Sequence, residues 1–323
     1  MTTNNLYAQG TLLDVLNQIG PDGNYMASAE ILQKETPIIM DAIWVEANSV
    51  TQHKYSIDYS LPTSTKIEFN KGTTKSIGST KPMICNMKGI DLLVSVDKRL
   101  IKIAPNGEAL LAGHARKAML GIGQDFEGDI LYGSIAAGDE YDGVAVQLNA
   151  ISDATVFDNG DTGSNLSSIY VIAWDKDLGS YLAYPKGSMA GIKFTDMGSR
   201  NSDQSDGTVL EVHEMKVEVT AGFCLTDPRA IGRIANIDTG SLAVTTFDEN
   251  LLIQLLSKMS KGAKKGYVIY CSPEVKAAMD IRANDKANMQ YNTTNIFGVP
   301  TTTFRGVPVR ESEIISNAET QVV

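Results

Sequence analysis

The sequence predicts an α+β protein with an extended hairpin arm, and three observations support that prediction. Residues 53–61 alternate apolar and polar side chains, which is typical of a strand with one apolar face. Apolar residues between 106 and 131 recur every three or four positions, which indicates a single long helix. Short apolar runs separated by Gly- and Asp-rich loops follow in the rest of the 323-residue chain.

The arm is predicted to be a hairpin that cannot stand alone. Its alternation resumes at residues 67–69, after Pro62, and a polar segment at 70–80 leads to a return strand at 82–88. A two-stranded hairpin with so few core-forming side chains is marginal in water, so we expect it to rest on another surface. Six apolar residues are predicted to make that contact: Tyr55, Ile57, Tyr59, Leu61, Ile67 and Phe69.

The long helix is predicted to begin after Asn106, which can cap it, and to run for about 25 residues, roughly 37 Å. A shorter helical piece is predicted from Ile90 to Pro105, because Leu92, Val96 and Leu100 are four residues apart. Four glycines inside the long helix weaken it and permit close approach of another backbone: Gly113, Gly121, Gly123 and Gly128.

Further elements are predicted on both sides of this helix. Short helices are expected at 11–20 and 29–34, the second ended by Pro37. A helix should start at Thr246, which forms a capping box with Glu249, and another after Ser272. Strands are predicted at residues 168–174, 181–184, 191–194, 209–220, 222–225, 267–271, 301–304 and 307–309.

Composition and charge argue against several classes of function. The chain carries 28 basic and 38 acidic residues, a net charge of −10, which argues against dedicated binding of nucleic acid. No signal-peptide pattern and no apolar run long enough for a membrane helix are visible. The cysteines, Cys85, Cys224 and Cys271, are far apart in sequence and are predicted to be reduced, mostly buried thiols.

A search for catalytic or ligand-binding motifs predicts no enzyme, no cofactor and no metal. No histidine has a partner at metal-ligand spacing. Residues 72–76 lack the glycine that a phosphate loop needs before its lysine, so a polar hairpin tip is the better interpretation. Gly121 and Gly123 lack the third glycine of a dinucleotide fingerprint. The Asp-rich loops at 158–161 and 203–207 suit turns better than a weak calcium site.

Three stretches carry a resemblance to a known family. They are residues 35–48 followed by Leu61-Pro62-Thr63, residues 169–174 continuing to 184–191, and residues 304–310 with the run Gly-Val-Pro-Val. Together they resemble the major capsid proteins of tailed bacteriophages with the Hong Kong 97 (HK97)-like fold, in the branch of epsilon-15-like short-tailed phages. The resemblance extends over about residues 30–315.

The resemblance implies a division of the chain into the parts of that fold. Residues 1–50 would form an N-terminal arm and lead-in, and residues 51–88 an extended hairpin called the E-loop. A peripheral domain would comprise 89–160 and 206–235, with a spine helix at 106–131. An axial domain would comprise 161–205 and 236–323.

The resemblance also implies the function. The chain would be a virion protein, made in the bacterial cytoplasm, that self-assembles into hexamers and pentamers of an icosahedral head. The shell would enclose double-stranded DNA without sequence-specific binding, without a membrane, and with possible portal, scaffolding and decoration proteins. The alternatives are an encapsulin-like compartment shell and a phage tail or decoration protein.

Overall fold

The computed structural model describes residues 36–104, 106–139, 141–203, 207–240, 247–259, 266–284, 291–296 and 299–323. Within them the protein is α+β, as predicted. The helices are α1 (Pro37–Asp41), α2 (Lys98–Ile103), α3 (Gly107–Tyr132), α4 (Val144–Gln147), α5 (Glu249–Lys258) and α6 (Pro273–Asn284). The strands are β1 (Trp44–Glu46), β2 (Gln52–Ser60), β3 (Ser79–Asn86), β4 (Lys88–Asp97), β5 (Val156–Asp158), β6 (Leu166–Ala173), β7 (Ser180–Tyr184), β8 (Lys193–Asp203), β9 (Val209–Leu225), β10 (Ile231–Asp238), β11 (Tyr267–Cys271), β12 (Tyr291–Ile296), β13 (Val299–Phe304) and β14 (Val307–Glu311).

The described residues divide into two compact units. Unit 1 comprises Gly89–Gly128 and Gly191–Thr220, with Thr36, and unit 2 comprises Pro37–Lys88, Asp129–Ala190 and Ala221–Val323. The boundaries between them fall inside α3 and β9. The predicted division into arm, E-loop, peripheral domain and axial domain stays a prediction.

Unit 1 is built from the long helix and a long antiparallel pair of strands. Strand β8 pairs with β9 from Lys193↔Glu218 to Asp203↔Val209, and most of its side chains are exposed. The predicted cap of the long helix is confirmed, because the Asn106 side chain accepts the backbone N–H of Ala109 at 3.1 Å. A small core joins the start of this helix to α2, β4 and β9: Val96, Leu100, Ala104, Leu110 and Met215.

Unit 2 contains a seven-stranded sheet with the order β12-β13-β14-β11-β6-β10-β5. Every residue of β6 and β11 is buried, so these central strands need no polar face. Helices α5 and α6 supply Leu252, Leu255, Val275 and Met279 to the core over this sheet. A Cβ at Gly232 would lie 2.5 Å from the Leu255 side chain, which is why α5 can pack so closely on β10.

Most predicted elements are confirmed. The helix predicted at 106–131 is α3, the buried strand at 267–271 is β11, and the helix after Ser272 starts at Pro273. The closing strand pair is also confirmed, with Phe304 opposite Val307. Its two-residue turn places Arg305 at φ 51° and Gly306 at φ 84°, the left-handed pair of a type I′ turn.

The helical prediction for residues 90–97 is wrong, since this segment is strand β4 and only Lys98–Ile103 is helical. A spacing of four between Leu92 and Val96 is also a multiple of two, so it fits a strand as well as a helix. Asp97 then caps the helix by accepting the N–H of Arg99 at 2.8 Å.

The predicted bounds of one helix are also wrong. Pro37 begins α1, which suits proline because its missing N–H would have no helical partner there; the helix that it was predicted to end is not among the described residues. The cap of α5 is Asp248, whose side chain accepts the N–H of Asn250 at 2.9 Å, and the helix ends at Lys258. Thr246, Gly262 and the helices predicted at 11–20 and 29–34 lie outside the described residues.

Candidate assembly interface

The base of the hairpin β2–β3 is fastened inside unit 2. The Tyr55 hydroxyl donates to the carbonyl of Leu225 at 2.9 Å, and its ring stacks on His53 with centroids 5.9 Å apart. The Tyr181 ring meets both rings edge-on. A small buried cluster lies beneath them: Ala47, Cys85, Met87, Tyr181, Ala183 and Cys224.

A charged contact fixes the chain directly after the hairpin. The Lys88 ammonium lies 2.8 Å from the Asp129 carboxylate and 2.7 Å from that of Asp139. Burial alone would lower the pKa of Lys88, but the hydrogen bonds that its ammonium donates to these two carboxylates outweigh burial and raise that pKa. The same contact lowers the pKa of Asp139. The root of the hairpin is therefore held by charge as well as by packing.

The ladder between the two hairpin strands stops well before the tip. It runs from Gln52↔Asn86 to Ser60↔Ser79, with an irregularity between Asp58 and Ser60. Residues 61–78 form no strand, and polar contacts such as that of the Thr63 N–H with the Ser76 hydroxyl, at 2.9 Å, join the two sides. The segment at 72–76 lies in this tip, as predicted, and does not open a helix.

The apolar side chains of the tip are exposed to an unusual degree. The exposed fraction is 79% for Tyr59, 81% for Leu61, 72% for Ile67 and 102% for Phe69. Ile77 was not among the predicted contact residues, and it is 92% exposed; a lone isoleucine inside a polar segment is its only signal in the sequence. Large apolar side chains this open to water are characteristic of a surface that another molecule covers.

The six predicted contact residues therefore separate into two groups. Tyr55 and Ile57 are half-buried and belong to the fastened part of the hairpin, where both line a cavity of about 600 Å³ within unit 2. The other four make no apolar core contact in the described part of the chain and project from its outer half. The prediction that the six contact a second subunit remains a prediction.

The cavity at the hairpin base is lined by both apolar and polar groups. Among them are Met83, Tyr141, Arg229 and Leu225. The Tyr141 hydroxyl is buried without a hydrogen-bond partner among the described residues, and burial raises the pKa of this phenol.

The Asp-rich loop at 158–161 is held by hydrogen bonds of the chain itself, whereas residues 204–206 of the loop at 203–207 lie outside the described residues. In the loop at 158–161, the Asp158 carboxylate accepts the Gly160 N–H and the Asn236 amide, at 2.8 and 2.7 Å. No group of histidine, cysteine and carboxylate side chains suited to a metal ion is found among the described residues. In the same residues, no helix is both long and apolar enough to cross a membrane.

Comparison with family models decides the relationship. The model of the major capsid protein GP7 matches residues 20–323. The chain belongs to the major capsid protein GP7 family. The predicted relation to tailed-phage capsid proteins is thereby confirmed, and the chain is a structural protein of the virion capsid.

One solved structure agrees on the fold. A chain of the cryo-EM-derived structure of bacteriophage epsilon15 is 23% identical over 100% of this chain and 99% of its own, with a TM-score of 0.74. The HK97-like fold predicted for this GP7-family chain is confirmed by that match. The bacteriophage JBD30 capsid is 12% identical over 90% of this chain and 91% of its own, with a TM-score of 0.46.

One further solved structure comes from a compartment shell. The holo-SrpI encapsulin complex of Synechococcus elongatus is 9% identical over 65% of this chain and 90% of its own, with a TM-score of 0.45. A likeness this weak does not favour the encapsulin alternative. No curated protein matches the GP7-family chain.

Proposed function

We propose that this GP7-family protein is the repeated subunit of an icosahedral phage head, arranged as hexamers and pentamers around double-stranded DNA. The observation that carries the proposal is the hairpin whose base is anchored in unit 2 and whose outer half exposes five large apolar residues. A monomeric protein gains nothing from an apolar tip in water, whereas a neighbouring copy can cover it. The role is structural and involves no catalytic step.

The proposed contact is one between identical chains. Tyr59 and Leu61 would meet the neighbour along the extended strand, and Ile67 and Phe69 would meet it at the turn. Each such side chain contributes about 1.5–3 kcal/mol when it is fully buried. Since the same contact recurs at each neighbour in a closed shell, modest contacts suffice to hold the shell together.

The charge of the chain fits a container for DNA. With a net charge of −10, the protein has little affinity for phosphate groups, so packaged DNA would not adhere to the shell. We propose that assembly takes place in the host cytoplasm and that portal, scaffolding and decoration proteins act as separate partners. The proposed parts are the arm at 1–50, the E-loop at 51–88, and the peripheral and axial domains of the predicted boundaries.

Substitution of the tip tests the assembly role. The double variant Ile67→Ser/Phe69→Ser should keep the circular dichroism spectrum and melting temperature of the subunit, because neither side chain packs on its own chain. Each lost contact of about 1.5–3 kcal/mol should raise the protein concentration needed for shells about tenfold or more. Light scattering and negative-stain microscopy over a concentration series measure this effect.

The matched control changes the polar neighbours on the same tip. Lys66→Ser/Glu68→Ser alters the same loop by the same number of residues while it keeps both apolar side chains, so shells should still form near the wild-type concentration. Normal shells from the Ile67/Phe69 variant would refute the proposed contact. A wild-type protein that stays monomeric at high concentration would refute the shell itself.

A further inference from the structure

Two cysteines that are remote in sequence meet at the base of the hairpin. Cys85 lies near the end of β3 and Cys224 near the end of β9, and both are buried in one small cluster. The Cys85 thiol donates to the carbonyl of Phe223, 138 residues away, at 3.2 Å. The Cys224 thiol lies 3.9 Å from the carbonyl of Gly222, the residue whose position faces the Cys85 sulfur.

A glycine makes this approach possible. A Cβ at position 222 would lie 2.4 Å from the carbonyl oxygen of Asn86 and 2.9 Å from the Cys85 sulfur. Any larger residue there would push β9 away from the end of β3. Strand β7 pairs with β9 at this point, with Tyr181 opposite Cys224.

We propose that Cys85 and Cys224 form an intrachain disulfide that fastens the returning strand of the hairpin to β9. The co-reactant is a low-molecular-weight disulfide. A thiolate of one cysteine attacks a reagent sulfur and releases one reagent thiolate, and the second cysteine then attacks the mixed disulfide and releases the other. The protein loses two hydrogens and two electrons, and the reagent is reduced to two thiols.

The closed structure keeps this reaction slow. Burial raises the pKa of Cys224, and the neighbouring Cys85 adds to that effect. The attacking species is a thiolate, so oxidation requires the hairpin base to open and admit water. The reduced pair is therefore retained in a reducing compartment, and the bond forms after the protein meets a disulfide reagent during an opening of the base.

The bond would constrain the chain strongly because it links segments far apart in sequence. A disulfide that closes a long loop limits the unfolded chain more than one that closes a short loop. The site lies in one chain and within unit 2, so this inference does not depend on shell assembly. Cys271 serves as an internal control, because it is buried in the core over the seven-stranded sheet and lies 3.7 Å from the carbonyl of Arg310.

Oxidation of the full chain by glutathione disulfide at alkaline pH tests the proposal. Urea below the unfolding transition should speed the reaction by opening the hairpin base. Thiol titration after denaturation should then find one free thiol in place of three, and non-reducing peptide mapping should recover the segments containing Cys85 and Cys224 as one linked species. Hydrogen exchange in β3 should slow in the oxidised protein, and its melting temperature should rise until a reductant is added.

Three variants separate the proposed pair from other thiol chemistry. Cys271→Ser should still form the linked species, whereas Cys85→Ser and Cys224→Ser should not. Three free thiols after prolonged oxidation in urea would overturn the proposal, as would stable glutathione adducts or links between chains. An oxidised protein that melts at or below the temperature of the reduced one would overturn the fastening role.

Discussion

A buried carboxylate near the C-terminus is the centre of a hydrogen-bond network in unit 2. Glu319 accepts hydrogen bonds from Tyr132 at 2.6 Å and from Tyr170 at 2.8 Å, and it also binds Ser168. Arg233 lies 2.8 Å away as its counterion, and both charged side chains are about 5% exposed or less. Because the donors are fixed on α3, β6 and β10, this carboxylate binds the last residues of the chain to the sheet.

The two tyrosine hydroxyls that donate hydrogen bonds to Glu319 are held in their protonated form. Burial, followed by the charge of Glu319, raises the pKa of Tyr132, and burial likewise raises that of Tyr170. The Arg233 guanidinium also donates to the carbonyls of Ala145 and Leu148, and it lies 5.4 Å from the centre of the Tyr170 ring. If one charge of a buried, fully hydrogen-bonded ion pair is removed, the other charge stays buried without compensation, and the protein loses stability.

Glu319→Gln is expected to lower the free energy of unfolding by about 3–5 kcal/mol, because it leaves Arg233 buried without a counterion. Glutamine keeps the shape but replaces one acceptor by a donor that faces other donors. Urea unfolding followed by circular dichroism measures the change. Glu313→Gln, on the exposed part of the same segment, should stay within about 0.5 kcal/mol of wild type. Equal midpoints for the two variants would show that the network does not support the C-terminal segment.

No sequence pattern could have indicated this network. Arg233 and Glu319 are 86 residues apart, and each stands in an ordinary polar context. The same holds for the bond between Tyr55 and Leu225, which are 170 residues apart. The alternation in β2 predicts which side chains lie on one face of the strand. Which residues pack against that face depends on the tertiary fold.

At the level of elements, the sequence predicted correctly the helices and strands whose apolar residues repeat with only one period. The long helix was predicted because a period near 3.6 over 26 residues has no strand equivalent. Strand β4 was missed because its apolar residues fit both periods, and tertiary pairing beside β9 decides between them. The apolar side chains near the hairpin tip continue the alternation of β2. They are exposed because no hydrophobic core of the described residues lies against them.

The glycines of the long helix were expected to permit close approach of another backbone. At Gly121, a Cβ would meet no atom within 4 Å, and at Gly123 it would meet only the end of the Ile192 side chain, at 3.8 Å. The described residues therefore give no packing reason for glycine at position 121.

Gly121→Ala should stabilise the unassembled subunit by up to about 1 kcal/mol, because alanine loses less backbone entropy in a helix and has free space here. Denaturant unfolding at concentrations below assembly measures this gain. Gly222→Ala is the contrasting variant and should destabilise, since its Cβ would meet backbone at 2.4 Å. A destabilised Gly121→Ala subunit would show that position 121 is crowded within the chain itself.

At the level of the whole molecule, like charge opposes the gathering of many copies. Each chain carries −10, and the proposed contacts of the apolar tip would have to bring neighbours together against that repulsion. Between about 0.01 M and about 0.15 M salt the Debye length falls from about 30 Å to about 8 Å, so repulsion between subunits is largely screened. Contact of apolar surfaces is not weakened by this change.

Shell assembly should therefore accelerate, and begin at lower protein concentration, as sodium chloride is raised over this range. Time-resolved light scattering at fixed protein concentration measures the rate, with microscopy to verify closed shells. Magnesium chloride at equal ionic strength is the control, because general screening predicts equal rates whereas bound divalent ions would add a further increase. The Ile67→Ser/Phe69→Ser variant should remain unassembled in high salt, since screening removes repulsion but supplies no contact. Assembly that slows with salt would show that attraction between opposite charges, and not the apolar tip, drives the association.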